Sequence, residues 1–173
     1  TYTDYQIIVV NNGSTDDTAK WLAEQDDVFT ITQENLGGAG GFFTGMKYVA
    51  ENGYKYCWIM DDDVICDTDA LAELISAINV KDNIGFVCSK VLGTDGSPMN
   101  TPIVNMDSRS PITGYEDYFD LSDCNMVKVK RATFVSVLFT TEIIRKIGLP
   151  YKEYFIWGDD TEYTTRLSKK YPC

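Results

Sequence analysis

The chain has 173 residues, of which 44% are hydrophobic and 24% are charged. These values are typical of one soluble globular domain with a sizeable core. A net charge of −11 argues against a nucleic-acid-binding surface, which needs clustered lysine and arginine. Because the sequence contains no histidine, histidine-based catalysis and histidine-liganded zinc are excluded within it.

Cysteine usage and hydropathy indicate the compartment. The five cysteines are odd in number and lack CxxC spacing, which favours a reduced, cytosolic protein. No apolar stretch approaches the roughly 20 residues of a membrane span. The predicted location is cytoplasmic, and a full-length parent would work there or at the inner membrane surface.

Strand and helix patterns alternate along the first half of the chain. Strands are predicted at residues 5–10, 28–33, 55–60 and 84–89, and helices at 17–25, 42–52 and 69–79. This βαβα order predicts an α/β fold with a mostly parallel central sheet flanked by helices. Ligands of such sheets bind at the carboxyl ends of the strands.

The second half is less regular. Residues 92–123 hold most of the prolines and read as irregular loop with short strands, and residues 128–139 read as one or two strands. Helices are predicted at 141–147, capped by Thr140 or Thr141, and at 161–169. There is no interdomain linker, so residues 1–173 are predicted to form a single domain.

Three consecutive aspartates, Asp61, Asp62 and Asp63, follow a buried strand. If the chain stays extended there, Asp61 and Asp63 point to the same side. Two adjacent carboxylates repel each other unless a cation lies between them, and Mg²⁺ or Mn²⁺ prefers such oxygen ligands. The alternative is a solvated turn before the next helix.

Two polar or glycine-rich segments also follow predicted strands. In the first, Asn11, Asn12 and Ser14 suit hydrogen bonding to a nucleobase or ribose, or form an ordinary Asx-turn and helix cap. In the second, Asn35 precedes Gly37 and Gly38 in a segment that fits neither the dinucleotide pattern nor the Walker A pattern. Its backbone would approach a diphosphate or sugar, or it is a flexible connection.

Near the C-terminal end, the sequence FIWGDDTEY places acids beside aromatic residues at a helix start. A carboxylate there would act as a general base toward a sugar hydroxyl, with Trp157 and Glu162 on the acceptor side. The alternative is that Asp159 or Asp160 caps the helix.

The order of these motifs (NNGSTD, ENLGGAGGF, WIMDDDV, then KIGLP and FIWGDDTEY) resembles family 2 glycosyltransferases of the GT-A fold. The resemblance is to the bacterial branch with galactofuranosyl- and rhamnosyltransferases, which act in cell wall or polysaccharide biosynthesis. It covers nearly the whole chain, with residues 92–123 the least diagnostic part.

The resemblance implies roles for individual positions. Asn11 occupies the position of an aspartate that helps to hold the nucleoside base, and brings no charge. Asp61 and Asp63 match the outer acids of the metal-binding DXD motif, and Asp62 lies near the ribose or donor sugar. Asp160 matches the general base, and Asp159 its acidic neighbour that helps to bind the acceptor.

The chain also departs from the family pattern. Family members have a further strand before the NNGS strand, so the domain is expected to lack its first strand and to be truncated at both ends. In some relatives, a downstream histidine completes the metal site. The exposed edge of the strand at 5–10 is expected to be covered, for example by a homo-oligomer.

The implied activity is inverting transfer of a sugar, galactofuranose or rhamnose, from a UDP- or dTDP-linked donor to a glycan or lipid-linked acceptor. One alternative is a receiver-type Mg²⁺-binding signalling domain, in which Ser89 and Lys90 would follow a later strand. Another is a non-catalytic fragment.

Overall fold

A computed structural model describes residues 2–105 and 126–173. Its α-helices are α1 (Thr18–Ala23), α2 (Gly37–Glu51), α3 (Ala70–Ile78), α4 (Thr141–Ile147) and α5 (Asp159–Ser168), with a 3₁₀ turn at Lys152–Tyr154. Its longer strands are β1 (Ile7–Asn12), β2 (Val28–Gln33), β3 (Tyr56–Met60) and β9 (Ser136–Thr140). The shorter strands are β4 (Val87–Cys88), β5 (Val91–Leu92), β6 (Pro98–Met99), β7 (Ile103–Val104) and β8 (Val129–Arg131).

The sheets are only partly parallel, which corrects the prediction of a mostly parallel sheet. β1 and β2 pair in parallel, with Ile7 opposite Val28 and Asn12 opposite Gln33. β9 lies between β3 and β4 and is antiparallel to both. The βαβα pattern describes the first half of the chain, whereas β9 comes from the second half and enters the sheet in the opposite direction.

Two clusters of apolar side chains form the core. The larger joins α2, β3, β9, α4 and α5, and contains fully buried Met46, Phe139 and Tyr163. The smaller packs α3 against β9 through Leu74, Ile78 and Leu138. These contacts fix α2 and α5 against the strands that carry the candidate site residues.

Several predicted boundaries are confirmed. β2 covers residues 28–33 as predicted, and the described residues of the 92–123 region contain only short strands; residues 106–123 of it lie outside the described part. α4 covers residues 141–147, and the Thr140 hydroxyl caps it by accepting a hydrogen bond from the Ile143 N–H at 3.3 Å.

Other boundaries differ. The strand predicted at 84–89 is reduced to Val87–Cys88. The strand predicted at 5–10 runs two residues later, at Ile7–Asn12. The final helix begins at Asp159 rather than at residue 161, after Gly158 in the left-handed conformation with φ of 98°.

The outer edge of β1 has no strand partner among the described residues, since β1 pairs with β2 alone there. Its sequence, IIVVNN, is apolar on both faces, yet Ile7 is 41% exposed and the next three residues are half-buried. A strand of this composition is normally covered on both faces. That a homo-oligomer or another segment covers this edge stays a prediction.

No helix among the described residues is long and apolar enough to cross a membrane.

Candidate active site

Asn12, the last residue of β1, connects the ends of two strands to the glycine-rich segment. Its side-chain Nδ2 donates to the Gly37 carbonyl at 2.9 Å. Its Oδ1 accepts from Gln33 Nε2 at 2.7 Å and from the Leu36 backbone N–H at 3.1 Å. Because these bonds occupy both ends of the amide, Asn12 positions the segment around Gly37 rather than presenting a free amide to a ligand.

The other amides predicted to contact a donor are arranged differently. Asn11 is only 4% exposed, and its Oδ1 accepts from the Ser14 N–H at 3.1 Å, which is the predicted Asx-turn. The Ser14 side chain is exposed beyond that turn. The Oδ1 of Asn35 accepts from the Gly37 N–H at 2.9 Å. The structure therefore brings Asn12, Asn35 and Gly37 together.

The glycine-rich segment is helical from Gly37, where the sequence predicted a loop up to residue 41. A residue distant in sequence stabilises its first turn, because the Phe155 carbonyl accepts a hydrogen bond from the Ala39 N–H at 3.0 Å. Gly37 has φ of 71°, and a Cβ there would lie 2.0 Å from the Phe155 carbonyl oxygen. Only glycine allows this approach, which joins the start of α2 to the segment before α5.

Replacing Gly37 with alanine is therefore expected to destabilise the domain by at least about 2 kcal/mol, through backbone strain and the clash with Phe155. Gly41→Ala is the matched control, since Gly41 lies within the same helix and a Cβ there meets nothing within 4 Å. It should stabilise the domain by roughly 0.5–1 kcal/mol. Urea denaturation of both variants measures the difference, and equal stability of the two would contradict this packing.

The aspartate triplet does not continue β3 in extended form. The chain turns at Asp62 and Asp63, so the argument from strand alternation does not apply there. Burial raises the pKa of Asp61, and the charges of Asp63, Asp62 and Asp160 raise it further. Asp61 is thus half-buried among other negative charges, whereas Asp62 and Asp63 are exposed.

The acids of the FIWGDDTEY segment lie in the first turn of α5. Gly158 occupies the N-cap position, so the alternative that Asp159 or Asp160 is the N-cap residue is wrong. The Asp160 Oδ1 atom nevertheless accepts a hydrogen bond from the Thr161 N–H within the first turn. Asp159 is only 5% exposed. Burial raises its pKa, and the charges of Asp160 and Asp61 add to that rise, while backbone hydrogen bonds oppose it.

The charge of Asp160 raises the pKa of Asp61, and that of Asp61 raises the pKa of Asp159. The end of β3 and the start of α5, almost 100 residues apart in sequence, therefore lie near each other in the fold. Like charges collected in this way destabilise a fold unless something binds there. Carboxylates with raised pKa values, such as those at the end of β3 and the start of α5, are typical of functional sites.

The burial of Asp159, together with repulsion from its acidic neighbours, predicts a specific dependence of stability on pH. The folded-state pKa of Asp159 lies above its ordinary value of 3.8, so its ionisation destabilises the folded state as the pH rises through that interval. Asp159→Asn should therefore raise the melting temperature at pH 7, by about 2–4 °C per kcal/mol gained. The gain should vanish below the ordinary pKa, where the carboxyl group is protonated in both states.

The control for that experiment is Asp26→Asn, which removes one negative charge from an exposed loop residue. It should leave the melting temperature close to that of the wild type at both pH values. Calorimetry at pH 7 and near pH 3 checks this, and a gain for Asp159→Asn that persisted at low pH would rule out repulsion as its cause.

Among the described residues, no group of three or more histidine, cysteine, aspartate or glutamate side chains is arranged to hold a metal ion. Asp61 and Asp63 together offer two carboxylates, and the charge of Asp63 raises the pKa of Asp61. Mg²⁺ is commonly bound by one or two carboxylates, with the remaining ligands supplied by substrate phosphates and water. The residues present therefore fit an ion that arrives with a diphosphate, but do not form a complete protein site.

Of the two residues predicted to bind the acceptor, Trp157 is exposed and Glu162 forms an ion pair. Trp157 is 84% exposed and directly precedes the acidic turn. Glu162 is paired with Arg166 through two contacts of 2.9 Å. Glu162 lies two residues beyond Asp160, about 200° around the helix, and so faces away from Asp160.

Sequence reasoning missed Gln33 and Phe155. Gln33 orients Asn12 and in turn accepts a hydrogen bond from the Thr44 hydroxyl at 2.7 Å. Its position at the end of β2, opposite Asn12, would have been visible once the parallel register was known. Phe155 acts through its backbone carbonyl, which no sequence pattern reveals.

Comparison with known proteins agrees with this arrangement. The family described as glycosyl transferase family 2 matches residues 1–137. The chain is 28% identical to galactofuranosyltransferase GlfT1 of Mycobacterium tuberculosis over 176 residues, covering 95% of this chain and 55% of the relative.

Two further relatives have related names. One is the low-salt glycan biosynthesis hexosyltransferase Agl10 of Haloferax volcanii, 19% identical over 95% of this chain and 54% of the relative. The other is the poly-beta-1,6-N-acetyl-D-glucosamine synthase of Staphylococcus aureus, 32% identical over 50% of this chain and 21% of the relative.

The chain spans about half the length of the galactofuranosyltransferase and hexosyltransferase relatives. The family match extends over most of the chain and includes the NNGSTD, glycine-rich and aspartate segments that form the site. This chain therefore belongs to glycosyltransferase family 2, and its domain has the GT-A fold of that family.

Proposed function

We propose that this domain catalyses inverting transfer of a sugar from a nucleotide-diphosphate donor to a hydroxyl group of a glycan or lipid-linked acceptor. The observation that carries the proposal is the proximity of Asp61, at the end of β3, to Asp159 and Asp160 at the start of α5, since the charge of Asp160 raises the pKa of Asp61 and that of Asp61 raises the pKa of Asp159. It supports one site in which a donor-binding acid and a proton-accepting acid face the same space.

The donor side is assigned to the segments around Asn11, Gly37 and Asp61. Asn11 and Ser14 lie at the end of β1, where a nucleoside would bind. Gly37 and Gly38 open α2, and the positive end of the helix dipole favours negatively charged phosphates. The Gly37 and Ala39 N–H groups are themselves bonded to Asn35 and Phe155. Asn12 and Asn35 act in this proposal by holding that helix start in place. Asp62 is assigned to the ribose or donor sugar.

A divalent ion fits this donor side, and family 2 enzymes generally use one. Asp61 and Asp63 would hold Mg²⁺ or Mn²⁺, and the bound ion would offset negative charge on the diphosphate. Without it, Asp61 stays among like charges and repels a diphosphate.

Asp160 is assigned as the general base. It accepts the proton of the acceptor hydroxyl while that oxygen attacks the anomeric carbon from the face opposite the diphosphate. The bond from the anomeric carbon to the diphosphate breaks as the new glycosidic bond forms, so the configuration is inverted. Asp159 helps to orient the acceptor, and exposed Trp157 offers an aromatic face to a sugar ring.

Galactofuranose and rhamnose are the proposed donor sugars, the first also supported by the name of the mycobacterial relative. Because the chain belongs to family 2, we set aside the alternative that it is a receiver domain. Ser89, which would have followed a later strand of such a domain, accepts a hydrogen bond from the Ser136 hydroxyl at 2.9 Å. The expected location of the reaction remains the cytoplasm or the inner membrane surface.

Calorimetric titration of UDP and dTDP with and without Mn²⁺ tests the proposal. The transferase account predicts binding of one of the two nucleotides that depends on the metal. Binding of neither nucleotide, with Mn²⁺ present and the complete protein folded, would refute the donor site.

A further inference from the structure

A cavity of about 630 Å³, which we call the outer cavity, lies along one side of α5. The positions of this helix that line it are 158, 161, 162, 165, 166 and 169, whose spacing of mostly three or four residues identifies one side of the helix. Asp160 is about 200° around the helix from Gly158, whereas Asp159 is about 100° from it. The outer cavity therefore opens on the opposite side of α5 from Asp160, the proposed general base, and Asp159 lies between the two sides.

The lining of this outer cavity is cationic. Its positively charged side chains are Arg131, Arg166, Lys169 and Lys170. The one carboxylate among the described lining residues, Glu162, is held by Arg166 through two contacts of 2.9 Å. Arg166 also donates to the Ile147 and Leu149 carbonyls at 2.9 and 3.0 Å, so most of its N–H groups are bonded within the protein.

Three cations therefore remain for a ligand. Arg131, Lys169 and Lys170 are exposed, and within the described part of the chain none of them forms an ion pair. The chain as a whole has 26 acidic and 15 basic residues, so composition alone favours pairing of each cation with an acid. Favourable interaction with the C-terminus of α5 explains Lys169 and Lys170 in part. It does not explain Arg131, which comes from β8.

The charge of the lining indicates the class of ligand. Arg131, Lys169 and Lys170 around one cavity match the negative charge and the multiple acceptor oxygens of a phosphate group. Thr165 also lines the outer cavity, but its Oγ1 atom, which has no hydrogen-bond partner among the described residues, is buried away from solvent and is not assigned a contact with the ligand.

We propose that this outer cavity binds a phosphate-class anion through Arg131, Lys169 and Lys170. Such a group is available in a soluble phosphate or diphosphate and in the headgroup of an anionic lipid. The site is separate from the proposed donor site and does not depend on the transferase reaction.

The test uses the complete protein with EDTA and without donor, so that the carboxylate-lined site has no metal and repels anions. Inorganic pyrophosphate is titrated by calorimetry, and vesicles of phosphatidylglycerol or phosphatidylcholine are tested by co-sedimentation. The variant is Lys169→Gln/Lys170→Gln. Its control is Lys20→Gln/Lys47→Gln, which removes the same charge from exposed positions on α1 and α2. Thermal unfolding checks that the variant and its control remain folded. If Lys169→Gln/Lys170→Gln does not fold, Arg131→Gln is used in its place.

The proposal predicts that the Lys169/Lys170 variant, but not its control, weakens anion binding by at least about tenfold. Loss of pyrophosphate binding identifies a soluble phosphate as the ligand, whereas loss confined to phosphatidylglycerol vesicles identifies a lipid headgroup. Absence of binding to both probes, or an equal loss in the control variant, would overturn the proposal. Metal-dependent UDP binding should be unchanged in both variants, which keeps this test independent of the proposed function.

Discussion

Replacing Asp160 with asparagine in the complete protein is expected to lower kcat by at least about 100-fold, the usual scale for loss of a general base. Asparagine keeps the size of the side chain but cannot accept the proton of the acceptor hydroxyl. Asp160 lies in the first turn of α5, where its Oδ1 atom accepts a hydrogen bond from the Thr161 N–H. Steady-state kinetics with a nucleotide-sugar donor, together with calorimetry of UDP binding, separate turnover from donor affinity, which should change little.

Glu162→Gln is the matched control for that experiment, and Asp159→Asn tests the neighbouring acid that orients the acceptor. Asp159 is buried beside the site, and Glu162 is held by Arg166, so neither is expected to accept the proton. Near-normal turnover of Asp160→Asn with loss in one of the other variants would move the base by one or two residues. Activity of all three variants would contradict the inverting mechanism in this segment.

Replacing Asp63 with alanine is expected to abolish metal-dependent binding of the donor nucleotide. Asp63 is exposed and its charge contributes to the raised pKa of Asp61. The substitution thus removes a metal ligand and some repulsion, but no packing. Unfolding experiments should show an unchanged or slightly more stable domain, while calorimetry with UDP and Mn²⁺ shows no metal-dependent binding.

Asp67→Ala is the control for the metal experiment, because Asp67 is an exposed acid a few residues further along the chain. It should bind UDP and Mn²⁺ like the wild type. If Asp63→Ala retained metal-dependent binding, the assignment of Asp63 as a ligand would be wrong.

Local sequence patterns predicted the elements whose ends are set by local contacts. α4 is the clearest case, because Thr140 caps it and Gly148 ends it with φ of 86°. The strand β2 is similarly bounded by polar residues on both sides. In such elements, the residues that start and stop the structure lie within the segment itself or next to it.

The start of α2 shows why other boundaries were missed. Four glycines within residues 37–41 weaken a helix by about 1 kcal/mol each relative to alanine, so the sequence predicts a loop. The helix nevertheless begins at Gly37, because Asn35 and the distant Phe155 carbonyl accept hydrogen bonds from its first N–H groups. Tertiary contacts here outweigh intrinsic propensity.

In the candidate site, too, local sequence predicted the individual motifs but not the tertiary contacts between them. The acids of residues 61–63 and 159–160 were recognisable one motif at a time, each with a structural alternative. Their interaction depends on a contact between β3 and α5 that no local pattern contains. The antiparallel entry of β9 beside β3 was missed for the same reason, since strand direction is set by a pairing across almost 80 residues.

The configuration of the transferred sugar tests the central claim most directly. The complete protein is incubated with Mn²⁺, an acceptor and UDP-galactofuranose or dTDP-rhamnose, and the product is analysed by proton NMR. Direct attack by an acceptor hydroxyl activated by Asp160 predicts a product with the anomeric configuration opposite to that of the donor. A product that retained the donor configuration would contradict the assignment of Asp160 as the base of a single displacement.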